Sequence, residues 1–116
     1  MTRTYDVYGV GHALVDIQYR VDPGFLADNQ IDKGVMTLVD AERQTALITA
    51  LTTDPVASAS GGSAANTMIG VARFGGRTYY ACLTGRDEWG EFYQRDLEEA
   101  GVATSPTNRD EGTTGQ

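Results

Sequence analysis

The feature that most constrains this chain is a change of hydrophobic period two-thirds of the way along it. Thr78-Tyr79-Tyr80-Ala81-Cys82-Leu83 is a continuous apolar run of strand length, rich in aromatic residues. Asp87 to Ala100 follows, with Trp89, Phe92, Tyr93, Leu97 and Ala100 at helical spacing and Gly101 marking its end. A buried strand handed through a turn to an amphipathic helix is the unit of a parallel α/β sheet.

The same order recurs upstream. Tyr5 to Val10 has strand composition. From Leu14 to Val21, the apolar Val15, Ile17, Tyr19 and Val21 alternate with Asp16, Gln18 and Arg20, the period of a strand with one wet face. Pro23-Gly24 stops that run, Phe25 to Asn29 predicts a short helical turn, and Val35 to Val39 predicts another short strand. Asp40 is a natural N-cap for a helix whose Ala41, Leu47, Ile48 and Leu51 share a face, with Pro55 as its terminator. Ser63 is the expected cap of the next helix, buried through Ala65, Met68, Ile69, Val71 and Ala72 and stopped at Phe74-Gly75-Gly76. The fold class expected is α/β, with a mainly parallel sheet and no internal repeat.

Charge and cysteine content exclude several functions. A net charge of -7 and nine scattered Lys and Arg leave no basic stripe for a phosphate backbone, so no nucleic acid is expected as a partner. No membrane association is expected either, because the amino terminus has no apolar signal core and no run reaches the roughly 18 apolar residues of a spanning helix. The single cysteine, Cys82, lies in an apolar run and reads as a buried structural thiol of a cytoplasmic protein. Asp110 to Gln116 reads as a turn followed by the first residues of a strand, as expected of part of a longer chain.

Three glycine-containing motifs carry the chemistry. In Gly9-Val10-Gly11-His12-Ala13-Leu14-Val15-Asp16 two glycines follow a strand. A dinucleotide site is disfavoured because Leu14 stands where the third glycine belongs and a strand, not a helix, follows. In Gly61-Gly62-Ser63-Ala64-Ala65-Asn66 paired glycines precede a helix, so backbone can approach a ligand closely. Ser63 and Asn66 lie on the first turn, and the Asn66 amide offers both a donor and an acceptor to a hydroxyl. The alternative is a tight turn with Ser63 as a plain cap. In Gly85-Arg86-Asp87-Glu88-Trp89-Gly90, Asp87 reads as an N-cap and Trp89 as an inward-packing residue.

Taken in order, and with Arg73-Phe74-Gly75-Gly76 between the second and third, these motifs resemble the amino-terminal signature of the PfkB (ribokinase-family) carbohydrate kinases from about Val7 to Gln116. The resemblance implies a ribokinase-like three-layer αβα Rossmann-like sheet with a small β-sheet lid. The lid would comprise strands between about residues 14 and 39 and one beginning at Thr113, and the core residues 5–11 and 40–104. It also implies transfer of the γ-phosphate of ATP, with Mg2+, to a primary hydroxyl of a sugar or nucleoside.

On that pattern Asp16 accepts hydrogen bonds from two sugar hydroxyls, Gly62 gives close approach, and Asn66 holds a further hydroxyl beside Ser63. His12 and Leu14 take positions that line the base pocket in adenosine-kinase-like members. The helix inserted between Asp16 and Gly61, and Gly-Gly-Ser in place of Gly-Gly-Lys, favour the adenosine-kinase-like group. Ribokinase, fructokinase, ketodeoxygluconate kinase and inosine-guanosine kinase remain open, as does a non-catalytic sugar- or nucleoside-binding module. A homodimer through the lid is compatible with the family. No G-x-G-D loop occurs in the 116 residues, so the catalytic base and the ATP-binding residues are expected elsewhere in a full-length protein.

Overall fold

The computed structural model describes residues 4–105 and 109–116, with only the backbone of Arg109 and Asp110. Strands β1 (Val7–Val10), β4 (Thr78–Ala81) and β6 (Val102–Ala103) form a parallel sheet in the order β1-β4-β6, with Val7 opposite Thr78 and Thr78 opposite Val102. Strand β2 (Leu14–Gln18) lies beside β3 (Ala57–Gly61), and β5 (Thr84–Gly85) pairs in parallel with β7 (Arg109–Asp110). Helix α3 (Ser63–Arg73) packs across β1 and β4, and α4 (Glu88–Glu99) packs against β5 and β6. The expected parallel α/β architecture is therefore present, with the apolar run at Thr78 as its central strand.

That strand alternates. Thr78 and Tyr80 are buried and turned toward α3, where the Thr78 hydroxyl donates to the Met68 carbonyl at 3.3 Å. Tyr79 lies half-buried with its ring stacked on Tyr8, centroids 5.0 Å apart, and tilted against Tyr5 at 5.3 Å. The core joins Val15, Ala65, Met68, Tyr80, Cys82, Tyr93, Leu97 and Val102, with Trp89 and Phe92, edge to face with each other, packed against it.

Helix ends follow the chemistry of their residues. Asp87 caps α4 through the Gly90 amide at 2.7 Å, and Asp40 caps α2 (Ala41–Ala50) through the Arg43 amide. Helix α3 ends at Phe74-Gly75-Gly76. Gly75 takes φ 92°, and the Gly75 and Gly76 amides return to the Ala72 and Val71 carbonyls, the double closure of a Schellman motif.

Residues Gln18–Ala57 form a second compact unit, separate from Met1–Ile17 with Ser58–Gln116. Here several expectations fail. The strand read over Leu14 to Val21 stops at Gln18, and Val35 to Val39 forms no strand at all. Its apolar residues lack a pairing partner, and Met36 and Leu38 are 85% and 89% exposed. By contrast, the helical turn expected over Phe25 to Asn29 is present as helix α1 (Pro23–Asp28), with Pro23 at its first position behind the N-cap Asp22. No residue of α2 is buried: Ile48 is exposed and Leu47 only half-buried, because this unit offers too little apolar surface to cover a whole face. The helix ends at Ala50, well before Pro55.

Asp87 does more than cap. Its carboxylate also accepts from the Thr114 amide at 2.9 Å and the Thr114 hydroxyl at 2.5 Å. Asp87→Ala is expected to lower stability by about 2–4 kcal/mol, the sum of a lost cap and lost charged hydrogen bonds. Urea denaturation reads this. An unchanged midpoint would show that the carboxylate contributes nothing net.

Candidate functional site

The site is built where two backbone segments cross within the larger unit, residues 11–16 leading into β2 and residues 60–66 running from β3 into α3. In β2, Val15 is buried and Ile17 half-buried, so the pleat turns Asp16 to the wet face. The carboxylate lies against Gly61. A Cβ added there would stand 2.6 Å from Asp16 Cγ and 2.9 Å from Oδ1, so only glycine permits this approach.

Gly62 then turns the chain into α3 at φ 97°, a left-handed conformation that side chains resist. Gly62 itself is the N-cap, and no side chain caps the helix. This corrects the expected role of Ser63. Ser63 is the first helical residue, exposed, and left free of capping duty because glycine alone can take the cap's backbone angles here. Asn66 lies one turn on, exposed, with its backbone N–H donating to the Gly62 carbonyl at 2.9 Å. An exposed carboxylate beside an uncapped helix start, with an exposed amide side chain on its first turn, can take hydroxyl donors and acceptors together.

His12 and Leu14 are both exposed, and Leu14 forms a parallel bridge to Gly115. The Val15 amide donates to the Gly115 carbonyl at 2.9 Å, so the segment after Thr113 meets β2 as a single bridge. A hollow of about 300 Å3, lined by residues including Ile31, Val39, Arg43 and Leu47, is confined to the Gln18–Ala57 unit.

Two residues outside the sequence motifs complete the site from beneath. Tyr80, from β4, and Tyr93, from α4, are both fully buried. The Tyr80 hydroxyl donates to the His12 carbonyl at 2.8 Å. The Tyr93 hydroxyl donates to the Gly61 carbonyl at 3.0 Å and approaches the His12 carbonyl at 3.4 Å. Behind them, Asp96 accepts from the Ser60 amide at 2.8 Å and the Ser60 hydroxyl at 2.7 Å. Sequence periodicity marked both tyrosines as core. It carried no sign that their hydroxyls end on these carbonyls.

With this geometry in place, comparison with known proteins decides the family. The model of the pfkB family carbohydrate kinases matches residues 31–116. The chain belongs to that family. A probable sugar kinase protein from Rhizobium etli CFN 42 is 40% identical over 99% of the chain, with a TM-score of 0.74. The adenosine kinase from Sinorhizobium meliloti is 41% identical over 95%, with a TM-score of 0.76. A fructokinase from Xylella fastidiosa, at 24% identity and TM-score 0.60, shares the fold. No curated protein matches. The chain spans 32% and 33% of the first two structures' own lengths, and its mixed α/β fold with a parallel sheet corresponds to that part of the ribokinase-like kinases.

The buried groups around the crossing set an alkaline limit on stability. Burial pushes the Tyr80 and Tyr93 hydroxyls and the Cys82 thiol above their ordinary values, with mutual repulsion of any charges adding to the two tyrosine shifts. Each raised group gives stability that is whole below its ordinary value, 9.0 for the thiol and 10.0 for the hydroxyls. Above those values the unfolded chain releases protons that the folded chain keeps, so stability falls as pH rises. The urea midpoint is expected to be level from pH 7 to about 9 and to decline beyond it. A midpoint flat to pH 11 contradicts this.

Proposed function

We propose that these residues are the acceptor-binding part of a kinase that phosphorylates the primary hydroxyl of a nucleoside, with adenosine the leading substrate. The observation carrying this reading is the Asp16 carboxylate held against Gly61, beside the uncapped start of α3 and Asn66. A carboxylate accepts two vicinal hydroxyls, and each charged hydrogen bond contributes roughly 1.5–3 kcal/mol, enough to orient a ribose diol. Asn66 and Ser63 reach further hydroxyls. His12 and Leu14, exposed on the segment entering β2, offer a ring and an apolar surface to a base. The 41% identity to a protein named adenosine kinase supports the nucleoside. The similar identity to one named probable sugar kinase keeps a sugar acceptor as the second reading.

The reaction forms an O–P bond from the primary hydroxyl to the γ-phosphorus of ATP, breaks the bond to ADP, and passes the hydroxyl proton to a base. ATP with Mg2+ supplies the phosphoryl group and neutralises its charge. Among the described residues no group of three or more His, Cys, Asp or Glu is placed to hold a metal ion. No residue here is assigned to the nucleotide or to magnesium. The residues present bind and orient the acceptor, the positional half of a reaction that depends chiefly on positioning and electrostatics. A small-molecule partner, cytoplasmic location and a lid pairing between subunits belong to the same proposal.

Two measurements test it. In the full-length protein, Asp16→Asn keeps the side chain's shape and removes its charge, and is expected to lower kcat/KM for adenosine by about 10²-fold while leaving the KM for ATP unchanged. Wild-type kinetics in that variant would remove Asp16 from the site. The 116 residues alone, lacking G-x-G-D, are expected to phosphorylate no nucleoside, and ATP-dependent formation of AMP from adenosine by them would overturn that assignment.

A further inference from the structure

The two segments that carry the acceptor residues pair as β2 and β3, and the phenolic oxygens beneath them tie the turn entering β2 to the end of β3. Tyr80 reaches the His12 carbonyl at 2.8 Å, and Tyr93 reaches the Gly61 carbonyl at 3.0 Å and the His12 carbonyl at 3.4 Å. The fit around these oxygens is close. A Cβ on Gly11 would press into the Tyr80 hydroxyl and stand 2.9 Å from the Ala64 Cβ, and one on Gly62 would stand 3.3 Å from the His12 carbonyl oxygen. His12 therefore sits over Gly62, and Gly61 sits under Asp16, with both carbonyls tied to one point in the core.

We propose that the Tyr80 and Tyr93 hydroxyls are positioning residues for acceptor recognition, fixing the distance between Asp16 and the start of α3 by holding the His12 and Gly61 carbonyls. The proposal rests on reading Asp16 and Asn66 as acceptor ligands. Tyrosine is not required here for packing volume alone, since phenylalanine fills nearly the same space. What phenylalanine lacks is the donor. Without it a buried carbonyl loses its partner, and the segment moves toward water to regain one. A shift of Gly61 displaces the carboxylate that touches it, and one of His12 displaces the residues leading to it. Recognition of a diol by a carboxylate and an amide on different segments is sensitive to such a shift, because both must reach the same ligand at hydrogen-bond distance.

The test uses the full-length protein and three variants: Tyr93→Phe, Tyr80→Phe and Gly11→Ala. The last retains both tyrosines but pushes the Tyr80 hydroxyl from its carbonyl. Tyr79→Phe, whose ring stacks on Tyr8 away from the crossing, is the control. Each of the three is expected to raise the KM for adenosine about tenfold, the effect of one misplaced hydrogen bond, with the KM for ATP and kcat per folded molecule held within about twofold. The control is expected to match wild type.

A fall in kcat that tracks the folded fraction, with the KM for adenosine unchanged, would show a structural role only and overturn the proposal. So would loss of folding in all three variants. If wild type phosphorylates a sugar in place of adenosine, the same comparison on that sugar decides. If wild type phosphorylates neither adenosine nor ribose, fructose or ketodeoxygluconate, the acceptor reading itself fails and takes this proposal with it. Failure in the variants alone leaves that reading standing.

Discussion

The site depends on two stretches of backbone approaching more closely than side chains allow. Gly11, Gly61 and Gly62 each stand where a Cβ would collide with or crowd a partner: the Tyr80 hydroxyl, the Asp16 carboxylate and the His12 carbonyl. Close approach of bare backbone has an electrostatic cost. Carbonyls are drawn out of water, and each needs a donor. Tyr80 and Tyr93 meet that need from within the core, which is why two full-length polar side chains can be buried without loss. The same accounting holds nearby, where Ser60 is satisfied by Asp96 and Thr84 by Gln94. Among the described residues no buried side-chain polar atom lacks a partner.

A second line of support runs through Asp87. Its carboxylate caps α4 and also takes both donors of Thr114, whose hydroxyl in turn accepts from the Gly85 amide at 3.0 Å. Gly115, one residue on, gives its carbonyl to Val15, the neighbour of Asp16. A helix cap is thereby coupled through Thr114 and Gly115 to the strand that presents the Asp16 carboxylate. A charged acceptor serving three donors is stronger than three neutral bonds and keeps its geometry in a half-buried setting.

The sequence made some of this legible and hid the rest for identifiable reasons. The elements of the larger unit follow from local chemistry: alternation in β2, apolar runs in β4, Asp87 and Gly75 at helix ends. Those signals survive because the core that rewards them is present. Val35 to Val39 and the face of α2 carry equally clear patterns, yet the first forms no strand and the second buries no side chain. A strand needs a neighbour, and a helix face needs a surface, that lie outside any local window. A local window points to Ser63 as the cap of α3 because serine is the commoner cap. The turn at φ 97° that makes Gly62 the cap is set by the crossing and not by helix preference. Tyr80 and Tyr93 were legible as apolar rings and illegible as donors, since the partner of a buried hydroxyl is fixed by tertiary contact alone.

The arrangement places rigid and adaptable parts on opposite sides of one backbone layer. Below it, two phenols, a capped helix and the Asp96–Ser60 contact are buried or half-buried. Above it, Asp16, Ser63, Asn66 and His12 are exposed. Groups held this way lose little freedom on meeting a ligand, because their backbone has been ordered during folding. A polyhydroxylated acceptor is strongly hydrated, and its binding free energy is the small difference between water's hydrogen bonds and the protein's. That difference is favourable only when several donors and acceptors already stand at the right spacing. On the proposed reading, specificity for the acceptor therefore resides as much in the carbonyl anchors below the layer as in the side chains that touch the ligand.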